Sequence, residues 1–139
     1  MFKQILLPVD LADRHARAME VAAELAGASG GDVTLLHVIE VIAGLSMEEE
    51  KDFYRRLEKT ARNHLARLGK QLEGRRIPWR AEVRFGHRAP EVVQFAQERK
   101  ADLIVLTSPR IDPKHPELGW GSLSYKIGVL SSTPVLLVK

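Results

Sequence analysis

Hydrophobic residues fall along this chain in two alternating patterns: short, nearly unbroken runs, and longer stretches where they return every three or four positions. Unbroken runs suit strands buried on both faces, and the wider spacing suits a helix with one apolar stripe. Ile5-Leu6-Leu7-Pro8-Val9 is the first run, with Asp10 at its carboxyl end. From Asp13 to Ala28 the spacing turns helical through Ala16, Met19, Ala22, Ala23 and Ala26, and Ser29-Gly30-Gly31-Asp32 stops the helix. Val33-Thr34-Leu35-Leu36-His37-Val38 reads as a second buried strand and Ile39 to Ser46 as a loop.

Met47 to Leu72 predicts the longest helix, with Phe53, Leu57, Ala61, Leu65, Leu68 and Leu72 on one stripe. Its acidic start (Glu48, Glu49, Glu50) and basic end (Lys70, Arg75, Arg76) both match the helix dipole. Trp79 to Phe85 alternates apolar and charged residues, the mark of an edge strand with one wet face. Gly86 precedes a helix from Ala89 and Pro90 through Arg99, and Leu103-Ile104-Val105-Leu106 is a further buried strand. A loop from Thr107 to Trp120 carries Pro109, Pro113 and Pro116. A short helix near Leu123 to Leu130 and a last strand, Val135-Leu136-Leu137-Val138, complete the chain. Five strands alternating with four helices imply an α/β fold: a parallel sheet with helices on both faces, a Rossmann-like three-layer sandwich.

Composition narrows this picture. A length of 139 residues suits one domain, expected to span residues 1–139. No apolar run approaches the ~20 residues that cross a bilayer, and the N-terminus lacks a signal-peptide pattern, so a cytoplasmic protein with no membrane partner is expected. Zero cysteines exclude disulfides, thiolate metal sites and thiol catalysis. The five histidines form no His-x-x-x-His or His-x-His pair, so no metal is expected. A net charge of +3 is too mild to imply nucleic acid, and the basic residues of the long helix read as a solvated face.

In such a sheet a ligand binds beyond the carboxyl ends of the strands, where the strand order reverses. Asp10 could there accept hydrogen bonds from a sugar or base, Pro8 and Val38 could flank a flat ring, and the turn Gly119-Trp120-Gly121-Ser122-Leu123-Ser124 could seat phosphate on helix amides. Each residue also has a plainer role: Asp10 as a turn cap, Val38 as core, and the glycines and serines as a helix entry. Ser29-Gly30-Gly31-Asp32 superficially resembles the loop of ATP pyrophosphatases, but it ends a helix instead of opening one. No Gly-x-Ser-x-Gly elbow occurs, and hydrolysis lacks an evident base, so no enzyme is expected.

Ile5-Leu6-Leu7-Pro8-Val9-Asp10, Leu36-His37-Val38, Gly86 before a helix, Ala101-Asp102-Leu103-Ile104-Val105 and Gly121-Ser122-Leu123-Ser124 through Pro134-Val135-Leu136-Leu137-Val138 together resemble the universal stress protein family over the whole chain. The resemblance implies a sheet of strand order 3-2-1-4-5, frequent dimerisation, and membership of either an ATP-binding or a non-binding branch. It carries adenosine contacts onto Pro8, Asp10 and Val38, and phosphate or ribose contacts onto Gly121, Ser122, Leu123 and Ser124.

The ATP motif of the family is Gly-x-x-Gly followed at a fixed interval by Gly-Ser or Gly-Thr. Counting back from Gly121 lands on Ser108 and Ile111, and counting forward from Leu106 gives Thr107 and Arg110, so both early glycines are missing. A loop without them cannot bring its backbone as close to a triphosphate, although Arg110, Lys114 and His115 could supply side-chain charge instead. The expectation is therefore a non-catalytic, adenine-nucleotide-binding regulatory module of the stress response, with ATP or AMP as ligand but no tight grip on ATP. The alternative is a dimeric interaction module of the same fold without nucleotide. With order 3-2-1-4-5 the apolar run Val135 to Val138 lies at a sheet edge, so a homodimer through that strand is expected. If Trp120 or Ile111 fills the crevice, it is plugged; if Arg110 and Lys114 point into it, a nucleotide is expected.

Overall fold

The unbroken apolar runs form the middle of a five-stranded parallel sheet of order 3-2-1-4-5, and the computed structural model describes all residues 1–139. In chain order the elements are β1 (Gln4–Pro8), α1 (Ala16–Ser29), β2 (Asp32–Ile39), α2 (Lys51–Gly74), β3 (Trp79–Phe85), α3 (Arg88–Glu98), β4 (Leu103–Thr107), a 3-10 turn (Pro116–Gly119), α4 (Leu123–Leu130) and β5 (Val135–Val138). Central β1 pairs with β2 from Gln4 opposite Asp32 to Pro8 opposite Leu36, and with β4 at Ile5 opposite Leu103.

Side chains alternate across the sheet, so each strand feeds two cores. Ile5, Leu7, Val33, Leu35 and Val105 pack against α1 and α2, while Leu6, Leu36, Ile104 and Leu106 pack against α3 and α4. Burial of one such leucine contributes on the order of 1.5–3 kcal/mol. The alanines of α1 (Ala18, Ala22, Ala23, Ala26) are buried against the sheet, where small side chains let the helix approach closely. Gly30 ends α1 in the left-handed conformation, φ 70°, at little cost for a residue without Cβ. Gly69 of α2 gives its place to the Trp79 indole, since a Cβ there would lie 2.3 Å from the ring.

The helix starts depart from the sequence pattern. α1 begins at Ala16 instead of Asp13, because Asp10 accepts from the Ala12 N–H and holds the intervening residues in a turn. Ala18, not Ala16, is buried as a result. α2 begins at Lys51 instead of Met47, because Ser46 accepts from the Glu49 N–H through its side chain and from the Glu50 N–H through its carbonyl. The buried stripe of α2 takes Tyr54 in place of Phe53: the Tyr54 hydroxyl donates to Leu45 O at 2.5 Å and accepts from the Ile42 N–H at 3.0 Å, so its polar tip is satisfied inside the core. No helix is long and apolar enough to cross a membrane.

The two sheet edges differ as their sequences do. β3 exposes Arg80 while burying Val83. β5 leaves Leu136 and Leu137 37% and 41% exposed, with Val129 and Leu130 of α4 exposed as well.

Candidate functional site

The strand order reverses beside β1: β2 and β3 lie on one side of it, β4 and β5 on the other. Chain segments leave β1 and β4 in opposite directions there and open a cavity of about 260 Å³ beyond their carboxyl ends. Pro8, Val9 and Asp10 line it from β1, Leu36, His37 and Val38 from β2, and Leu106, Thr107 and Pro109 from β4 and its loop. Ser122, Leu123 and Ser124 at the start of α4, Arg14 and His15 before α1, and Arg88 and Val92 of α3 complete the wall.

Pro8, Asp10, Val38, Ser122, Leu123 and Ser124 thus meet at one cavity, although they come from three separate parts of the sequence. Arg110 and Gly121 do not: both are exposed and neither lines it. Lys114 is also exposed outside the cavity, and His115 stands 3.5 Å from Glu117. Ile111 and Trp120 leave the crevice unplugged; they line a separate, shallower depression with Leu137. The long loop therefore neither fills the cavity nor sends its cations into it.

Ser122 is the N-cap of α4, its hydroxyl accepting from the Tyr125 N–H at 3.1 Å and donating to Gly119 O at 2.7 Å. That capping leaves the N–H groups of Leu123 and Ser124, first-turn amides with no partner inside the helix, as donors for an anion. Arg14 and Arg88 add two guanidinium groups, Arg88 lying 3.6 Å from Glu40. Each guanidinium is paired with a carboxylate, Arg14 with Asp10 and Arg88 with Glu40, so the open first-turn amides of α4 are the uncompensated donors that suit the cavity to an anionic group.

Asp10 is the most heavily bonded group in the cavity. Its Oδ1 accepts from the Ala12 N–H at 3.0 Å and lies 2.7 Å from His15 Nε2, while Oδ2 accepts from Arg14 Nε at 3.1 Å and from Arg14 Nη2. Partial burial would raise this carboxyl, but the hydrogen bonds from Arg14, His15 and Ala12 overcome it and lower its pKa from 3.8 to about 2. On α2, burial holds His64 below the usual imidazole value, helped by Arg67, His15 and His37, and its Nε2 is enclosed without a partner. His37 Nδ1 donates to Val9 O at 2.9 Å, which fixes its tautomer.

Arg14, His15, Arg88 and Thr107 were not singled out by sequence reasoning. His15 carries the one available signal, a histidine at a helix start shortly after a strand-end aspartate, but its partner Thr107 is 92 positions away. No three His, Asp or Glu side chains stand together as a metal set.

The family model of universal stress proteins matches residues 1–139. The chain belongs to the universal stress protein family. Among its relatives, Universal stress protein YxiE of Bacillus subtilis is 28% identical, with all of both chains covered. Universal stress protein MJ0577 of Methanocaldococcus jannaschii is 27% identical over 100% of this chain and 96% of its own. The solved structure of MJ0577 superposes on this universal stress protein with a TM-score of 0.84 at 28% identity, covering 100% and 96% of the two chains. A universal stress protein of Archaeoglobus fulgidus, solved in complex with dAMP, shares the fold at TM-score 0.74 and 22% identity, with both chains covered completely.

Proposed function

We propose that this universal stress protein is an adenine-nucleotide-binding regulatory module of the stress response, acting in the cytoplasm by binding and not by turnover. The observation that carries this reading is the meeting of Asp10, the Pro8 and Val38 side chains and the open amides of α4 around one cavity. In the proposed pose the adenine lies between Pro8 and Val38, Asp10 accepts from ribose or base, and phosphate meets the Leu123 and Ser124 amides with Arg14 and Arg88 nearby. The dAMP held by the Archaeoglobus relative supports adenine as the base. The cavity lies just below the usual ligand range of about 300–1,000 Å³, which favours AMP, or ATP with its outer phosphates in solvent. Arg110 and Gly121, outside the lining, are not part of this pose. Neither nucleic acid nor membrane enters the proposal.

A second reading, a dimeric interaction module without nucleotide, is favoured by one fact: the Asp10 carboxylate is already saturated by its own chain. Calorimetric titration with ATP, ADP, AMP and cyclic AMP separates the two. A saturable heat with any of them supports the first; no heat and no thermal shift at millimolar nucleotide overturns it.

A further inference from the structure

His15 is 5% exposed and stands at the N-cap of α1, yet its side chain makes no capping hydrogen bond to that helix. Its ring instead spans the point where the strand order reverses. Nε2 lies 2.7 Å from Oδ1 of Asp10, which follows β1, and Nδ1 lies 2.8 Å from Oγ1 of Thr107, which ends β4. Asp10, with its pKa lowered to about 2, is ionised at neutral pH and can only accept. Nε2 also lies 3.2 Å from the Asp10 backbone nitrogen, a contact in which it would have to accept, but its closer 2.7 Å approach to an ionised oxygen assigns it the proton. Nε2 thus donates to Oδ1, and in the neutral ring Nδ1 accepts from the Thr107 hydroxyl.

We propose that His15 is the positioning residue of this pocket: it fixes Asp10 Oδ1 and the Thr107 hydroxyl together, leaving Oδ2 as the carboxylate oxygen that exchanges its partner for a nucleotide. Burial separates the two carboxylate partners. His15 is enclosed and stays, whereas the Arg14 side chain on Oδ2 is 54% exposed and can swing toward phosphate. The second tie matters because Thr107 opens the loop that lacks the early glycines of the family motif. A side-chain hydrogen bond to β1's turn holds that loop entrance where a close backbone approach does not.

Thr107, His15 and Asp10 have the connectivity of a nucleophile, a base and an orienting acid, but the geometry does not favour catalysis. The Ala12 N–H shares Oδ1, and Oδ2 is taken by Arg14 or, in the proposed pose, by the nucleotide, so Asp10 has little charge left to support an imidazolium after it takes the threonine proton. The arrangement positions groups and activates none.

The affinity arm of this inference rests on the adenine-nucleotide reading; its other arms do not. AMP is titrated into wild type, His15→Leu, His15→Gln and Thr107→Val, while carboxyl-carbon NMR follows the Asp10 titration and nitrogen NMR reads the His15 tautomer in nucleotide-free protein. His15→Leu is expected to weaken AMP about tenfold, and His15→Gln, whose amide can still reach Oδ1, to recover part of that loss. The Asp10 midpoint is expected to rise from about 2 toward 3.8 in His15→Leu, and wild type to carry its imidazole proton on Nε2. A wild type that ignores AMP defeats the nucleotide reading, while the midpoint and tautomer still decide the role of His15. An unmoved Asp10 midpoint, an Nδ1–H tautomer, or unchanged AMP affinity in folded variants overturns the proposal. If His15→Leu does not fold, His15→Gln and Thr107→Val carry the same measurements.

Discussion

Lys139 ties the end of β5 to the beginning of the long loop: its ammonium donates to Ser108 Oγ at 3.1 Å and to Pro109 O at 3.2 Å. Ser108 is 6% exposed, so this tie reaches an enclosed hydroxyl beside the cavity wall. Removing the charged donor in Lys139→Ala should cost on the order of 1–2 kcal/mol and loosen the loop from 108 to 120. Limited proteolysis and thermal unfolding check this; an unchanged melting temperature with unchanged loop cleavage would show that the tie holds nothing.

Asp10 offers the sharpest mutational test of the pocket. With Asp10→Ala the ribose or base loses a charged acceptor, and affinity for AMP should fall about tenfold or more. His15 and Arg14 lose their shared partner too, so a modest drop in stability should accompany it. Calorimetry on the folded variant decides, and equal affinity in wild type and Asp10→Ala removes Asp10 from the site.

The same residue sets an acid limit to stability. Its pKa is lowered from 3.8 in the ordinary state to about 2 in the folded protein, so the unfolded chain binds the proton more readily. The stabilisation is fully present above about pH 3.8 and is lost as the pH falls toward about 2. Because Arg14 is exposed and solvent screens the pair, the amount should be about 1 kcal/mol. Denaturant midpoints of wild type and Asp10→Asn should converge across that interval; parallel curves would contradict the assignment.

Nucleotide turnover should be slow or absent. Two histidines line the cavity, but Asp10 and Thr107 occupy both nitrogens of His15, and His37 spends its Nδ1 on Val9 O. Phosphate release from ATP should stay well below the roughly 1 s⁻¹ of ordinary enzymes. A faster rate that survives further purification and vanishes in Ser122→Ala would make this protein an enzyme.

Leu136 and Leu137, 37% and 41% exposed on an open edge, call for a cover. We expect that cover to be a second copy, its β5 antiparallel to the first across a two-fold axis. Leu136→Lys or Leu137→Lys should yield monomers or aggregates by light scattering. A wild-type mass of one chain at micromolar concentration would show that the edge stays open in solution.

The order of elements was legible in the sequence because each apolar period reports its own local geometry. Ile5 to Val9, Leu103 to Leu106 and the alternation of Trp79 to Phe85 announced centre and edge strands without help from neighbours. Strand order needed the family resemblance, since periodicity is blind to which strands pair. Side-chain competition set what local pattern could not: Asp10 delayed α1, Ser46 delayed α2, and the hydrogen bonds of Tyr54 rotated the buried stripe past Phe53. At the cavity, Asp10, Val38 and the start of α4 could be named from strand ends and a glycine turn. His15 and Thr107 could not be paired, because only the folded sheet brings residues 92 positions apart to 2.8 Å. The same holds for the long loop: its apolar residues suggested a plug and its charges a nucleotide contact, whereas the fold puts Ile111 and Trp120 with Leu137 around a separate depression and leaves Arg110 and Lys114 in solvent. Chain composition fixes which groups are present; their distances come from a sheet that every element helps to build.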